Sequence, residues 1–370
     1  MIGKYILAGF THFLFIALCL KILAFFSPFV LISYYYFLGN VLVCAVIAKL
    51  TFGVSKHYLL SERINPENKA VLITGAARGI GNFVAKHLDS KGFHVFASCR
   101  DAHSPGADDL RKSCSKRLRV LELDVRSDES VKRAAEYVRD NLGGCEFWAV
   151  VNNAGIHQGA IIDLSSIEDF KDSMDVNLFG AIRVIKAFLP LLKQSRGRVV
   201  NMSSLGGRFP VPVCGPYATS KWAVEGFSKY LALDLDVWGI RVATIAPEMF
   251  QTDMTSGESI LGVIEQSWKG VDEEVRKDYG DEFLQGFKTC CSKAMTSVST
   301  PRLDSIAEDV ESAIALVHPD AGYQSSRNSP LKFLLNLFVA YPTKLQIIAV
   351  RAYYFLLGMP KPQRVLKEIN

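Results

Sequence analysis

Thr74-Gly75-Ala76-Ala77-Arg78-Gly79-Ile80-Gly81 is the stretch on which the reading of this chain turns. It closes a short apolar run, Ala70–Thr74, and opens a segment, Phe83–Ser90, whose apolar residues recur at helical spacing. Glycines at such a junction permit a tight turn and let the backbone approach a pyrophosphate. The free N–H groups of the helix start then face the phosphate oxygens with positive potential behind them. A glycine triplet alone is a weak signal, because many turns are glycine-rich. Its place at the first strand-to-helix junction makes a dinucleotide site the expectation, with Gly75, Arg78, Gly79, Ile80 and Gly81 as contacts.

Outward from this loop, β-branched runs alternate with helical patterns. Strands are expected at His94–Ser98, Arg119–Leu123, Phe147–Val151, Arg198–Asn201 and Arg241–Ile245, with a helix at Val131–Asn141. Strands alternating with helices build βαβ units, so the expected fold is a doubly wound α/β domain on one parallel, Rossmann-type sheet. The catalytic domain spans 65–325 on this reading. Within it, Phe250–Thr300 is expected to form a helical substrate lid, with Phe250, Met254, Ile260, Leu261 and Trp268 lining an apolar pocket.

Composition narrows the function classes. A net charge of +5 is spread along the chain without like-charge runs or a basic stripe, which argues against a nucleic-acid partner. The eight cysteines show no Cys-x-x-Cys spacing and no neighbouring His pair, so no metal is expected and a reducing compartment is favoured.

The chain ends read differently from its middle. Residues Tyr5–Leu50 are almost continuously apolar, with Lys21 the one charge before Lys49. About 20 apolar residues cross a bilayer as a helix, so the stretch holds one or two transmembrane spans, Tyr5–Phe26 and Pro28–Leu50. Its length exceeds the short apolar core of a cleaved signal. Lys4 before it, and Lys49, Lys56 and Arg63 after it, favour a hairpin with both ends cytoplasmic. Residues 1–64 are thus read as a membrane anchor and linker. In 326–370, Leu331–Ala340 and Leu345–Leu357 are apolar, and Lys344 and Arg351 share a helix face opposite Leu345, Ile348 and Phe355. That pattern fits an interfacial membrane-associated helix or, equally, a helix packed on the enzyme.

The glycine spacing is Gly-x-x-x-Gly-x-Gly, and four further motifs follow in order. Asp124-Val125 ends one strand. Asn152-Asn153-Ala154-Gly155 ends the next. Asp175-Val176-Asn177-Leu178 comes after it, and Ser204 lies thirteen residues before Tyr217-Ala218-Thr219-Ser220-Lys221. Taken singly, a Tyr four before a Lys is an ordinary exposed helix pair. Together, from about Ala70 to Thr252, these motifs resemble the short-chain dehydrogenase/reductase family. Ser203–Arg208 and Glu274–Gly280 further resemble its membrane-associated branch of 3-hydroxybutyrate dehydrogenase, type 2 17β-hydroxysteroid dehydrogenase and the retinol dehydrogenases.

The resemblance implies an NAD(P)-dependent dehydrogenase acting on an alcohol or carbonyl. Tyr217 would be its acid/base, Ser204 the residue that steadies the substrate oxygen, and Asn177 the holder of a relay water. Lys221 would bind the nicotinamide ribose and lower the phenol pKa from about 10. Asp124, Val125, Asn153, Ala154, Gly155 and Thr252 would be further cofactor contacts. One departure stands out: the family's Pro-Gly-x-x-x-Thr is here Pro247-Glu248-Met249-Phe250-Gln251-Thr252. Glu tolerates positive φ poorly, so the loop at Thr252 is expected to differ. Cys99 occupies the position where NAD-preferring relatives carry an acid, and Arg100 follows it. With Arg78, Arg100 forms a pair of guanidinium groups suited to a 2′-phosphate, which favours NADP over NAD. A membrane anchor suits a lipophilic substrate such as a steroid or retinoid, on the endoplasmic reticulum or mitochondrial membrane. A short hydroxy acid is the alternative, and a non-catalytic cofactor-sensing scaffold is the rival from another class. Homo-oligomerisation is left open.

Overall fold

The structure, a computed structural model, describes residues 60–369 throughout and, ahead of them, Leu14, 17–18, 21–22, Phe25, 32–41, 43–44, 47–48 and Thr51. The chain divides into two compact units, 1–62 and 63–370. In the first, the described residues up to Thr51 are helical, and Ile32, Tyr36, Phe37 and Val43 expose their apolar side chains. Among the described residues no helix is long and apolar enough to cross a membrane. The expected span Tyr5–Phe26 lies largely outside those residues, whereas more than half of Pro28–Leu50 is described and helical, and the unbroken crossing helix expected there is not among the described residues.

The second unit runs β1 (Lys69–Ile73), α1 (Gly79–Ser90), β2 (His94–Cys99), α2 (Pro105–Ser113), β3 (Leu118–Glu122), α3 (Asp128–Asp140) and β4 (Glu146–Asn152). It continues with α4 (Ile167–Met174), a π-helical turn (Asp175–Phe179), α5 (Gly180–Ser195), β5 (Arg198–Met202), α6 (Gly215–Asp236) and β6 (Arg241–Pro247). Then come α7 (Gly257–Gly270), α8 (Glu273–Tyr279), α9 (Asp281–Val298), α10 (Asp304–Ala315), β7 (Gly322–Ser325), α11 (Ser329–Ala340), α12 (Thr343–Leu356) and α13 (Gln363–Ile369).

The sheet order is β3-β2-β1-β4-β5-β6-β7, and every pair is parallel. Successive side chains on a strand face opposite ways, and β1 shows what that does here. Val71 and Ile73 pack with Val84 and Leu88 of α1 and with Ile306 and Val310 of α10. Ala70 and Leu72 pack instead with Val131 and Val138 of α3 and with Val184 and Phe188 of α5. A strand covered on both faces needs a continuous apolar run rather than alternation, and Ala70-Val71-Leu72-Ile73 is fully buried. The doubly wound expectation is therefore met. Strand order reverses between β1 and β4, and in open α/β sheets ligands bind outside the carboxyl ends of the strands at such a point.

The segment expected as a lid folds into α7, α8 and α9. Ile264, Trp268, Phe283 and Phe287 build a third apolar cluster there with Ala160 and Leu164, and Ile260 and Leu261 pack against it. Phe250 corrects the sequence reading. It is 2 % exposed and belongs to the main core beside α10, so it lines no pocket. Helices α11 and α12 are joined by Gln346, whose Nε2 donates to the carbonyls of Phe338, Val339 and Tyr341 at 3.3, 3.0 and 2.9 Å. Those carbonyls lie in the last turn of α11 and just beyond it, where a helix runs short of backbone donors; Phe338 O also accepts from the Tyr341 N–H at 3.1 Å. Leu345, Ile348 and Phe355 are exposed, so the apolar edge of α12 is not packed on the enzyme.

Candidate active site

Two groups of residues meet at the carboxyl ends of β1, β4 and β5. The first is the glycine loop. Gly75 has φ +67° and Gly79 φ +58°, conformations costly for any residue with a Cβ. At Gly81 a Cβ would stand 2.4 Å from both Asn153 Nδ2 and Gly75 O, so the helix start can close on the turn only with glycine there. Ser127, Ser166 and Ser256 cap α3, α4 and α7 with their side chains, whereas Arg78, at the same position of α1, makes no side-chain cap. The first-turn N–H groups of α1 are thereby left for an anion. These features fit the pyrophosphate of a dinucleotide.

Asn153 and Ala154 brace that loop. Asn153 Nδ2 donates to Thr74 O at 2.9 Å and Gly75 O at 3.1 Å, and the N–H groups of Asn153 and Ala154 both donate to Thr74 Oγ1 at 3.0 Å. The Asn153 amide is thus spent on the turn, and a cofactor contact there would have to come from its other atoms. Thr252 lies against the loop: its Cβ would be 3.5 Å from a Cβ built on Gly79. The neighbouring Asp253 reaches Arg78 at 3.9 Å. Glu248 adopts no positive φ, so the feared strain is absent. Its carboxylate accepts from the Arg327 N–H at 2.6 Å and Nε at 3.2 Å, which ties the end of β6 to the start of α11.

The positions expected around the adenosine are less uniform. Arg78 and Arg100 are exposed at the ends of the adjacent strands β1 and β2. Among the described residues no ion pair joins Arg100 to Asp101, whose Oδ1 accepts from the His103 N–H at 2.8 Å. Asp124 is chelated by Arg126 through Nε at 3.2 Å and Nη2 at 2.9 Å, and this keeps its carboxyl below the ordinary range. Val125 turns its side chain onto Gly180 of α5, so only its backbone remains for a ligand. Ile80 is half-buried against the core.

The second group gathers on α6, the π-helical turn and the end of β5. Tyr217 and Lys221 are one turn apart on α6 and share a face. Burial pushes the Tyr217 phenol from 10.0 up to about 12, opposed by a hydrogen bond with Ser204. Burial pushes Lys221 from 10.5 down to about 8. The expected lowering of the phenol by Lys221 is not found. Nζ donates to Met202 O at 2.8 Å and sits 5.6 Å from the phenol ring centre, and desolvation outweighs any gain from it.

Asn177 also departs from expectation. Its Nδ2 donates to Ile156 O at 3.0 Å and Ser220 Oγ at 2.8 Å, while Oδ1 accepts from the Ile156 N–H at 2.8 Å. Both amide donors are used, which leaves one acceptor lone pair for a water. The π-turn that carries it is a form common at functional sites. Asn177 Oδ1 and Lys221 Nζ lie 3.2 and 3.7 Å from a Cβ built on Gly155, so all three residues do meet.

A hydroxyl pair beside an ammonium, next to a dinucleotide cradle, is suited to moving a proton on an alcohol or carbonyl oxygen. The short chain dehydrogenase family profile matches residues 69–259. The chain belongs to the short-chain dehydrogenase family. It is an oxidoreductase that uses NADP or NAD on CH–OH groups.

Among its relatives, estradiol 17-beta-dehydrogenase 2 of Mus musculus is 36% identical over 303 residues, covering 81% of this short-chain dehydrogenase and 78% of that enzyme. Mitochondrial D-beta-hydroxybutyrate dehydrogenase of Rattus norvegicus is 40% identical over 242 residues, covering 63% and 71%. Retinol dehydrogenase 7 of Mus musculus is 36% identical over 269 residues, covering 72% and 84%. A short chain dehydrogenase from Burkholderia cenocepacia in complex with NADP shares the fold at a TM-score of 0.56 and 19% identity, covering 78% of this chain and 99% of that one.

Sequence reasoning missed two members of this site. Ser220 holds Asn177 and is readable only as part of the Tyr-x-x-x-Lys segment. His157, in the loop after β4, places its ring 5.2 Å from that of Tyr217 at 57°. A lone His two residues beyond a turn carries no spacing signal.

Proposed function

We propose that this dehydrogenase oxidises or reduces a lipophilic, uncharged alcohol or ketone of the steroid or retinoid class, at a membrane surface, with NADP(H) preferred over NAD(H). One observation carries the substrate class. Among the described residues, the cation beside the Tyr217 ring is Lys221, which is buried and bonded to Met202 O at 2.8 Å, and burial alone lowers His157. A short hydroxy acid would bring a carboxylate to this place, and an unpaired buried carboxylate is costly. The names of the relatives, estradiol 17-beta-dehydrogenase 2 and retinol dehydrogenase 7, agree with it.

In this reading Tyr217 hands a proton to the substrate oxygen during reduction and takes it back during oxidation. Its neutral phenol, held near 12, is in the right state to act as an acid at neutral pH. The Ser204 hydroxyl donates to the same oxygen and steadies the charge that develops on it. Lys221 orients the nicotinamide ribose, and its charge stabilises the phenolate once the proton has left. Asn177 fixes the Ile156 segment and offers its remaining lone pair to a water behind Lys221. The glycine loop, Arg78, Arg100 and Thr252 hold the cofactor, which supplies or accepts the hydride. Helices α7–α9 act as the lid that excludes water.

Membrane attachment rests on the apolar 5–50 stretch and on the exposed Leu345, Ile348 and Phe355 edge of α12. A second reading, a short hydroxy-acid dehydrogenase, has the 40% identity to D-beta-hydroxybutyrate dehydrogenase in its favour. The deciding assay measures turnover of estradiol, retinol and 3-hydroxybutyrate by the full chain with each cofactor. Tyr217→Phe should lose nearly all turnover while binding cofactor almost normally. A tenth of wild-type activity in that variant, or efficient turnover of 3-hydroxybutyrate alone, sinks the proposal. A cofactor-binding scaffold would show no turnover in the wild type either.

A further inference from the structure

Ser204 opens a short turn whose position decides where its hydroxyl points. The turn is a single 3-10 stretch, Leu205–Gly207, closed by the Gly207 N–H on Ser204 O at 2.9 Å and the Arg208 N–H on Leu205 O at 3.0 Å. Ser204 Oγ accepts from the Gly206 N–H at 3.2 Å, which leaves its O–H to donate. Gly207 lies on the backbone of α6, where a Cβ would stand 2.7 Å from Lys221 O. The next side chain, Arg208, is mostly buried, as is its partner Glu225 of α6. Its Nε donates to Glu225 at 3.0 Å, Nη2 to Thr244 Oγ1 at 3.1 Å and Nη1 to Gln324 Oε1 at 3.4 Å. Tyr217, Lys221 and Glu225 fall at i, i+4 and i+8 of α6 and so share one face.

We propose that Arg208 is a positioning residue: by pairing with Glu225 it fixes the Ser204 turn to the face of α6 that carries Tyr217 and Lys221. The inference rests on the roles proposed above for those three residues. Stability does not account for the pair, because burying two charges costs about as much as their attraction returns. Closure of the sheet does not account for it either. Strands β6 and β7 are already paired over four residues, and the bond to Gln324 is the longest of the three. What a guanidinium supplies is direction. Its planar fork holds donors at fixed angles, and here the fork spans α6, β6 and β7 at once. Ser204 and Tyr217 must reach the same substrate oxygen, and a displacement of about 1 Å between such groups costs on the order of a hundredfold in rate. Among the described residues Arg208 bonds to neither hydroxyl, so it acts through the turn.

The test uses full-length Arg208→Met/Glu225→Gln, which removes the ion pair without stranding a buried charge. Hydrogen exchange read by mass spectrometry should show the 203–209 backbone exchanging about tenfold faster than in wild type, with α6 and the sheet unchanged. Turnover is measured on whichever of estradiol, retinol and 3-hydroxybutyrate the wild type oxidises. There kcat per NADPH-binding site should fall about 30- to 100-fold, with KM within about twofold. Arg208→Lys, which keeps a charged bond to Glu225, should lose less. In a Ser204→Ala background the paired substitution should cause no further loss, whereas damage to the fold would lower both backgrounds alike. Unchanged exchange across 203–209, faster exchange throughout α6 and the sheet, an unchanged kcat, or an equal loss in the Ser204→Ala background overturns the proposal. A wild type that turns over none of the three substrates refutes the function proposed above, and the exchange result then decides the role of Arg208 by itself.

Discussion

Lys221→Met exchanges a buried ammonium for an apolar chain of similar length, and the structure gives the size of the effect. Burial lowers the lysine from 10.5 to about 8. That gap is about 2.5 units, so at pH 7 the charged form costs the folded state about 3 kcal/mol relative to the unfolded chain. Removing it also strips Met202 O of its donor, at a loss of about 1–2 kcal/mol. The variant should therefore be more stable than wild type by about 1–2 kcal/mol at pH 7 in the cofactor-free protein, while losing activity if Lys221 acts as proposed. The sign of the pH dependence follows from the depressed pKa. Between about 8 and 10.5 the unfolded chain binds the extra proton, so wild-type stability rises with pH there. From pH 7 to pH 9 the advantage of the variant should shrink by about 1 kcal/mol. Urea denaturation of residues 63–370, followed by near-ultraviolet circular dichroism at both pH values, measures it. A variant less stable than wild type at pH 7, or an advantage constant with pH, refutes the reasoning.

Arg100→Ala should weaken NADP(H) by about 1.5–3 kcal/mol, the loss of a charged hydrogen bond, and barely affect NAD(H). Calorimetry with both cofactors checks it, and tighter wild-type binding of NAD(H) would remove the two-arginine argument. Gly81→Ala places a methyl group 2.4 Å from Asn153 Nδ2 and Gly75 O. It should destabilise the fold by about 1–3 kcal/mol and abolish dinucleotide binding, read by thermal melting with and without NADPH. Full-length protein should resist carbonate extraction from membranes. A form lacking 1–60 should adhere peripherally until Leu345, Ile348 and Phe355 are replaced by Ser. Recovery of soluble full-length protein with a shortened N-terminus would instead mark the first fifty residues as a cleaved leader.

The sheet was legible where burial on both faces forces an apolar run, as in Ala70-Val71-Leu72-Ile73. Strand β7 escaped notice because Gly322-Tyr323-Gln324-Ser325 has no such run. Its pairing with β6 and the hydrogen bond from Ser325 Oγ to Asp309 hold it instead. Helix α2 is similarly silent, with Ala107 and Leu110 its only buried residues. At the candidate site, ordered spacing was enough to single out Ser204, Tyr217, Lys221 and Asn177, which the structure brings together. Their electrostatics could not be read that way, because a phenol raised to about 12 rather than lowered is a consequence of burial, which spacing does not encode. Phe250 was placed in a pocket because an apolar residue after a strand reads alike whether it faces a ligand or the core.

The reversal of strand order between β1 and β4 also sets a clock. In a chain made from its N-terminus, Lys69 is finished 77 residues before Glu146, its partner on that side. At about 5–20 residues per second, one edge of β1 waits roughly 4–15 s for its neighbour, while its other edge can pair with β2 much earlier. During that interval an apolar strand presents unpaired N–H and C=O groups, the condition under which strands join the wrong chain. Nascent protein is thus most open to mispairing before residue 146 emerges, and the segment at risk is the one that later carries the glycine turn.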